Sequence, residues 1–451
     1  GLRPHGDLRP NRGPHARQGL IPRTERARIE KRHLTSDASR VAREGTILRR
    51  PAPIINLSPT HNRTRAPRRS RTQDAQTDMK HSILCCAVPG ALASGAACAA
   101  DTQIYGVIDT GFSVRNNQYV NGNSDTTTRM VSGQYIGSRF GIKGSEDLGN
   151  GYKAGFVLES SIKTDDGSLG QGGRLWGREA RVYLSGDFGE VSFGRVGPIV
   201  GGNGPYARFG HVMNAFSCGW GDVGGSLQVV SLGYEFVDNA VTYLTPKFGG
   251  LDAVFQYSFG ADTQSDAYKD GTEGKSSVER MYAGAVRYQN STVLVSAGVE
   301  GINQDQPSAD HNGLDDALSF NLGGSYDAGF AKFYVYSQVF QNYAKAAKVT
   351  MFSIPSGVDG YGVNLGFETK ALGGTVKASF GWGDFEGSHA DNLTMKTYQT
   401  ALGYNYPLSR RTTLYTAAGW IHNDFSDDYA AAKPTAVEND YEWICGITHK
   451  F

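Results

Sequence analysis

Beyond residue 100 the 451-residue chain has no run of about 18 to 20 apolar residues, and its mean hydropathy is −0.39. A bundle of membrane-spanning helices, each of which needs such a run, is thereby excluded. Cysteine is scarce: of five, Cys85, Cys86 and Cys98 share one short segment, which leaves Cys218 in a Gly-rich stretch and Cys445 near the end. Two thiols so far apart in a barrel wall do not meet, so both read as free, and the spacing needed for a zinc site is missing. Catalytic signatures are also lacking. His211, His311, His389, His422 and His449 are scattered, and no Ser, His and carboxylate can be placed together. Gly201, Gly202 and Gly204 suggest a phosphate loop only in composition, without its Lys and following helix. Neither a cofactor nor a metal is expected.

What the chain does have is 59 Gly, 23 Tyr and 21 Phe. A transmembrane barrel shows this composition, because its strands are apolar only on alternate residues, and a large soluble β protein shares it. The net charge of +1 conceals two unlike regions. Residues 1–78 hold 17 Arg and one Lys against seven acidic residues, whereas residues 101–451 carry a net charge of −11. The first region has no apolar periodicity and reads as disordered.

At Met79 the composition changes to a short charged start with Lys80, a modest apolar stretch and a small-residue end that includes Cys98 and Ala100. Residues 79–100 read as a signal peptide cleaved after Ala100. Residues 1–78 then read as upstream sequence wrongly joined to the protein. The alternative, a basic arm for nucleic acid, would have to be exported together with the signal. No nucleic-acid partner is expected.

In the final segment Tyr441, Trp443, Cys445, Ile447, His449 and Phe451 share one strand face, while Glu442, Thr448 and Lys450 share the other. One face suits lipid or a protein neighbour, and the other suits water. Turn signals recur between period-two runs at 146–151, 186–189, 246–250, 289–291, 327–329, 370–374 and 406–410. Longer polar connections are expected near 115–126, 164–173, 197–232, 261–277, 302–315, 344–356, 386–394 and 424–437. Seven short turns and eight long loops join sixteen strands, an all-β antiparallel barrel over residues 101–451. Closure removes the sheet edges that lipid would not tolerate.

Ile104 to Gly111, Ser138 to Phe156, Gly186 to Arg195 and the closing Thr448 to Phe451 resemble the general porins of Gram-negative outer membranes, the beta-proteobacterial branch most of all. The resemblance covers essentially all of residues 101–451. It implies a homotrimer of sixteen-stranded barrels with short periplasmic turns and long extracellular loops. Each barrel would hold a water-filled channel for passive diffusion of small hydrophilic solutes and ions, narrowed by an in-folded third loop. Outer-membrane lipid, lipopolysaccharide and the barrel-assembly machinery are the implied partners, and Phe451 resembles the terminal assembly signal. A substrate-specific channel is the alternative, and a barrel enzyme is a more distant one.

Several charges are candidates for the constriction. Strand parity puts Arg139 and Lys143 on a water-facing side, away from Phe140 and Ile142. The resemblance places Arg178 in the lumen, and Arg181, of opposite parity, against a neighbour or near a bend. The long third loop contributes Arg208 and, as its only acid before Glu235, Asp222. A positive constriction is expected to set a weak anion preference, because charges act strongly at a narrow low-dielectric site.

Overall fold

The computed structural model describes residues 101–451 except 202, 218, 219, 223, 232, 266–268, 270 and 305–313. The readings for residues 1–78, for the signal segment 79–100 and for Cys218 lie outside the described residues. Among the described residues no helix is long and apolar enough to cross a membrane.

Seventeen strand segments form one closed sheet: β1 (Asp101–Tyr119), β2 (Ser124–Ser132), β3 (Arg139–Gly149), β4 (Tyr152–Ser161), β5 (Glu179–Gly186), β6 (Gly189–Val196), β7 (Val237–Leu244), β8 (Leu251–Ser258), β9 (Arg280–Gln289), β10 (Val293–Asn303), β11 (Ala317–Asp327), β12 (Lys332–Tyr343), β13 (Val358–Ala371), β14 (Gly374–Gly387), β15 (Ala390–Pro407), β16 (Thr412–Phe425) and β17 (Val437–Lys450). β2 and β3 pair with successive stretches of β1, through Thr110↔Ser132 and Val107↔Arg139, so they are two halves of one stave. The barrel therefore has sixteen staves. β17 closes it by pairing antiparallel with β1 from Val107↔Lys450 onward.

Alternation sorts the side chains. On β12 Phe333, Val335 and Val339 are exposed, whereas Tyr336, Gln338 and Phe340 are buried inside the barrel. The same outward face carries Phe112, Val182, Phe193, Val286, Phe320, Leu365, Phe380, Leu402 and Trp443. So extensive an apolar band has no stable place in water and matches the hydrocarbon layer. Near the short turns the band ends in aromatics, among them Tyr152, Tyr288, Tyr326, Phe330 and Tyr406, which suit the membrane interface.

All seven short turns fall where the turn residues put them. Two expected long loops are strand instead. β1 and β2 are separated only by residues 120–123, and β14 and β15 only by Ser388 and His389. Both hairpins carry polar residues on both faces, so alternation gives no signal there, although the backbone ladder continues. His389 completes its tight turn in the left-handed conformation, φ 59°. The connection before β17 holds a short helix, Asp427–Ala432.

The core lies inside the barrel, beneath the third long loop, residues 197–236. Ile199, Val200, Tyr206, Phe209, Met213, Val229 and Val230 of this loop pack against inward residues such as Tyr336, Phe340 and Tyr343. Farther along, Phe216 and Trp220 pack on Tyr415 and Ile444. Glycines on the inner wall let the loop lie flat. A Cβ on Gly362 would overlap the carbonyl oxygen of Val229, and one on Gly403 would sit 2.6 Å from the Phe216 ring.

Candidate functional site: the luminal constriction

Strand pairing sets Arg139, Gly141 and Lys143 of β3 opposite Ser161, Glu159 and Val157 of β4, and Glu159 opposite Glu179 of β5. Cross-strand partners share a face, and this face is turned away from the lipid-facing Val182 and Leu184. Glu159 is the hub of the wall. Its Oε1 accepts from Arg178 Nε at 2.6 Å and its Oε2 from the Tyr105 hydroxyl at 2.9 Å, while Arg139 Nε lies 3.5 Å from Oε2. Lys143 Nζ stands 5.1 Å from the centroid of the Tyr105 ring. Three of the sequence candidates, Arg139, Lys143 and Arg178, thus come together.

Arg181 differs from its parity assignment. β5 begins only at Glu179, so Arg178 precedes the regular strand and its parity says nothing about Arg181. Arg181 points inward: its Nε donates to Glu179 at 3.0 Å, and its NH1 reaches Glu190 at 3.3 Å and the Tyr206 hydroxyl of the third loop at 3.0 Å. Nearer the rim, Arg174 and Arg195 both bind Asp238, and Arg174 also binds Asp262. This network ties the connections on either side of the third loop to the wall.

The remaining candidates stand apart from this wall. Arg208 is fully buried, and its NH2 donates at 3.0 Å to Asp252, which also takes Arg287. Burial, with Arg287 beside it, lowers the Arg208 guanidinium from its ordinary value, and its geometry is that of a loop anchor. Asp222 binds Arg115 at 2.5 Å and Lys348 at 2.9 Å. Burial works against its charge, but Lys348 and Arg115 outweigh burial and hold the carboxyl at about 2. Arg115 also binds Asp440, and the Asp222 N–H donates to Glu442. Glu235 is exposed where the loop leaves, accepting from Gln171 at 3.2 Å. Phe451 exchanges backbone hydrogen bonds with Gly106, and its ring lies over that glycine on the outer face.

Sequence reading missed Glu159, Arg181 and the Arg115–Asp440–Glu442 corner. Glu159 was within reach: folding 139–161 about the turn at 150–151 sets a carboxylate on the same face as Arg139. The corner was not, because Arg115 and Asp440 meet only when the barrel closes. Among the described residues no group of three or more His, Cys, Asp or Glu is arranged to hold a metal ion.

Comparison with known proteins agrees with this architecture. The profile of the Gram-negative porin family matches residues 85–426. An outer membrane porin of Bordetella pertussis is 30% identical over 83% of this chain and all of its own length. Outer membrane porin protein 32 of Delftia acidovorans is 32% identical over 76% of this chain and 90% of its own. In structure the chain is similar to an anion-selective porin from Comamonas acidovorans, with a TM-score of 0.58 and 26% identity over 78% of this chain and all of that one. A closed sixteen-stave barrel with an apolar outer band, a charged lumen and these relatives makes the chain a member of the Gram-negative porin family, an outer-membrane channel for the passive diffusion of small hydrophilic solutes and ions.

Proposed function

We propose that this porin favours anions weakly and that the β3–β5 wall sets the preference. The observation that carries the reading is the charge balance there: Arg139, Lys143, Arg178 and Arg181 face Glu159, Glu179 and Glu190, a surplus of one positive charge. In a narrow lumen flanked by protein, such a surplus attracts anions more than it would in open water. The Asp222 corner opposes it, with Asp222, Asp440 and Glu442 against Arg115 and Lys348. Two opposed and nearly balanced clusters favour a weak preference over a strong one. The resemblance in fold to a porin described as anion-selective supports the same sign.

The working unit in this reading is a homotrimer embedded among outer-membrane lipid and lipopolysaccharide, delivered by the barrel-assembly machinery with Phe451 as the recognised end. The constriction comprises Arg139, Lys143 and Arg178, with Arg208, Asp222 and Glu235 setting the position and charge of the loop edge. The test is the reversal potential of planar bilayers in a KCl gradient. Arg139→Ala should shift it toward cations. An unchanged potential with unchanged single-channel conductance returns Arg139 to the role of an ordinary surface charge.

A further inference from the structure

The short-turn end of the lumen holds a recess of about 400 Å³, distinct from the β3–β5 wall and lined by Lys332, Lys370, Lys377, Asp327, Glu368 and Tyr135. Lys332 of β12 pairs with Glu368 of β13, which pairs with Lys377 of β14, so these three share the luminal face. Both acids of the recess are engaged. Glu368 is held by Lys377 and by the Tyr334 hydroxyl at 2.9 Å, and Asp327 accepts the Gly329 N–H at 2.9 Å in its own turn. Lys377 is engaged too, because it also donates to the Ala215 carbonyl of the third loop at 2.6 Å. The other two lysines carry charge without such a partner. Lys370 donates only to the Thr375 hydroxyl at 2.9 Å, and Lys332 stands over the Tyr334 ring at 5.0 Å. Among the described residues neither has a carboxylate within ion-pair distance.

From this arrangement we infer that the recess is a binding subsite, on the periplasmic side of the third loop, for a small solute bearing more than one carboxylate or phosphate group. Three lysines against two acids leave the recess one positive charge in surplus, and two of those lysines are not ion-paired, so the cavity attracts anions. Two ammonium groups suit two separated anionic groups better than a single chloride, and Lys offers mobile point charges to either oxyanion. The third loop lies behind two of the lining residues: Tyr135 packs at a tilt against Trp220 with ring centroids 4.7 Å apart, and Lys377 lies 5.9 Å from the same indole. A solute seated there is retained just below the narrowest part of the path, and its exit to the periplasm is delayed. The inference rests on the channel reading and adds a solute class to it.

The test is chloride current through the purified full-length protein in planar bilayers, with citrate or inorganic phosphate added to one side at a time. Citrate on the periplasmic side should reduce the current at a concentration several-fold lower than citrate on the extracellular side. Lys332→Gln and Lys370→Gln, made singly, should each raise the half-blocking concentration at least threefold, and Lys370→Arg should restore it. An equal effect of phosphate assigns the recess to oxyanions in general, and citrate acting alone assigns it to polycarboxylates. Block that is symmetric, absent, or unmoved by both single variants overturns the proposal. Wild-type KCl current without citrate reports on the channel itself, so failure of the two readings is distinguishable.

Discussion

Replacing Gly362 by Ala tests whether the third loop is seated by the shape of the wall. Gly362 lies on the inner face of β13, directly beneath the Val229 backbone, and an added methyl group overlaps the carbonyl oxygen there. Real Cβ atoms keep about 3 Å from such an oxygen, so loop and wall must part by about 1.5 Å. The wall cannot yield easily, because β13 is hydrogen-bonded along both edges to β12 and β14. The loop yields, and lifting it strains the bond from the Ser231 N–H to Gln338 Oε1, now 2.8 Å. Overpacking costs roughly 1–3 kcal/mol and the lost hydrogen bond about 1 more, so a total of about 2–4 kcal/mol is expected. For a barrel of this size that is a fall of roughly 3–6 °C in the midpoint of thermal unfolding. The loop moves toward the channel axis, so single-channel conductance should fall as well. Gly284→Ala is the control, because its nearest neighbour is a ring atom of Phe255 at 3.3 Å on the outer face. If the two variants match in unfolding midpoint and in conductance, the loop is not held by contact with the wall at Gly362.

Deleting Phe451 should lower the amount of folded protein in cells while leaving the conductance of surviving channels unchanged; normal abundance with altered conductance contradicts an assembly role. The depressed carboxyl of Asp222 gives a pH-dependent prediction, since its folded value of about 2 lies below the ordinary carboxylate value of 3.8. Its contribution to stability is therefore fully present above about pH 4 and is lost as pH falls through about 2. The difference in unfolding free energy between wild type and Asp222→Asn should be flat from pH 7 to 4 and shrink below that; a difference that grows on acidification refutes the ion-pair assignment. N-terminal sequencing of the protein from the outer membrane should begin at Asp101, and recovery of residues 1–78 in that fraction refutes the reading of a cleaved signal.

Strands that cross the membrane were legible because lipid on one side and water on the other force a period of two. Trp443 and Ile447 on one face and Glu442 and Thr448 on the other needed no structure to sort. The hairpin around Ser388 and His389 was not legible, because the buried positions at its tip are the small or polar Gly387 and Ser388, which leave no apolar alternation to read. The break between β2 and β3 was hidden for another reason. Residues 133–138 leave the ladder to place the Gln134 N–H and the Ser138 hydroxyl on Asp109, and Tyr135 against Trp220. These partners are remote in sequence, so no local pattern announces them. The site divides the same way. Arg139 and Lys143 were placed by local parity alone, whereas the roles of Arg208 and Asp222 depend on where a 40-residue loop comes to rest.

The seam between β1 and β17 bears on the order in which the molecule folds. Ser113 donates to Glu442 across 329 residues of chain, and Arg115 reaches Asp440 across 325. Bringing such distant segments together costs chain entropy before any contact returns it, and folding slows as sequence separation grows. Until the seam forms, β1 and β17 each present a bare row of amides and carbonyls, and the half-made sheet invites pairing with other chains. Fourteen of the sixteen staves are no stable intermediate in lipid, because every unpaired backbone group there costs several kcal/mol. The polypeptide must therefore be shielded until both ends are present, and a chain cut short within β17 is lost to folding as a whole rather than trimmed to a smaller pore.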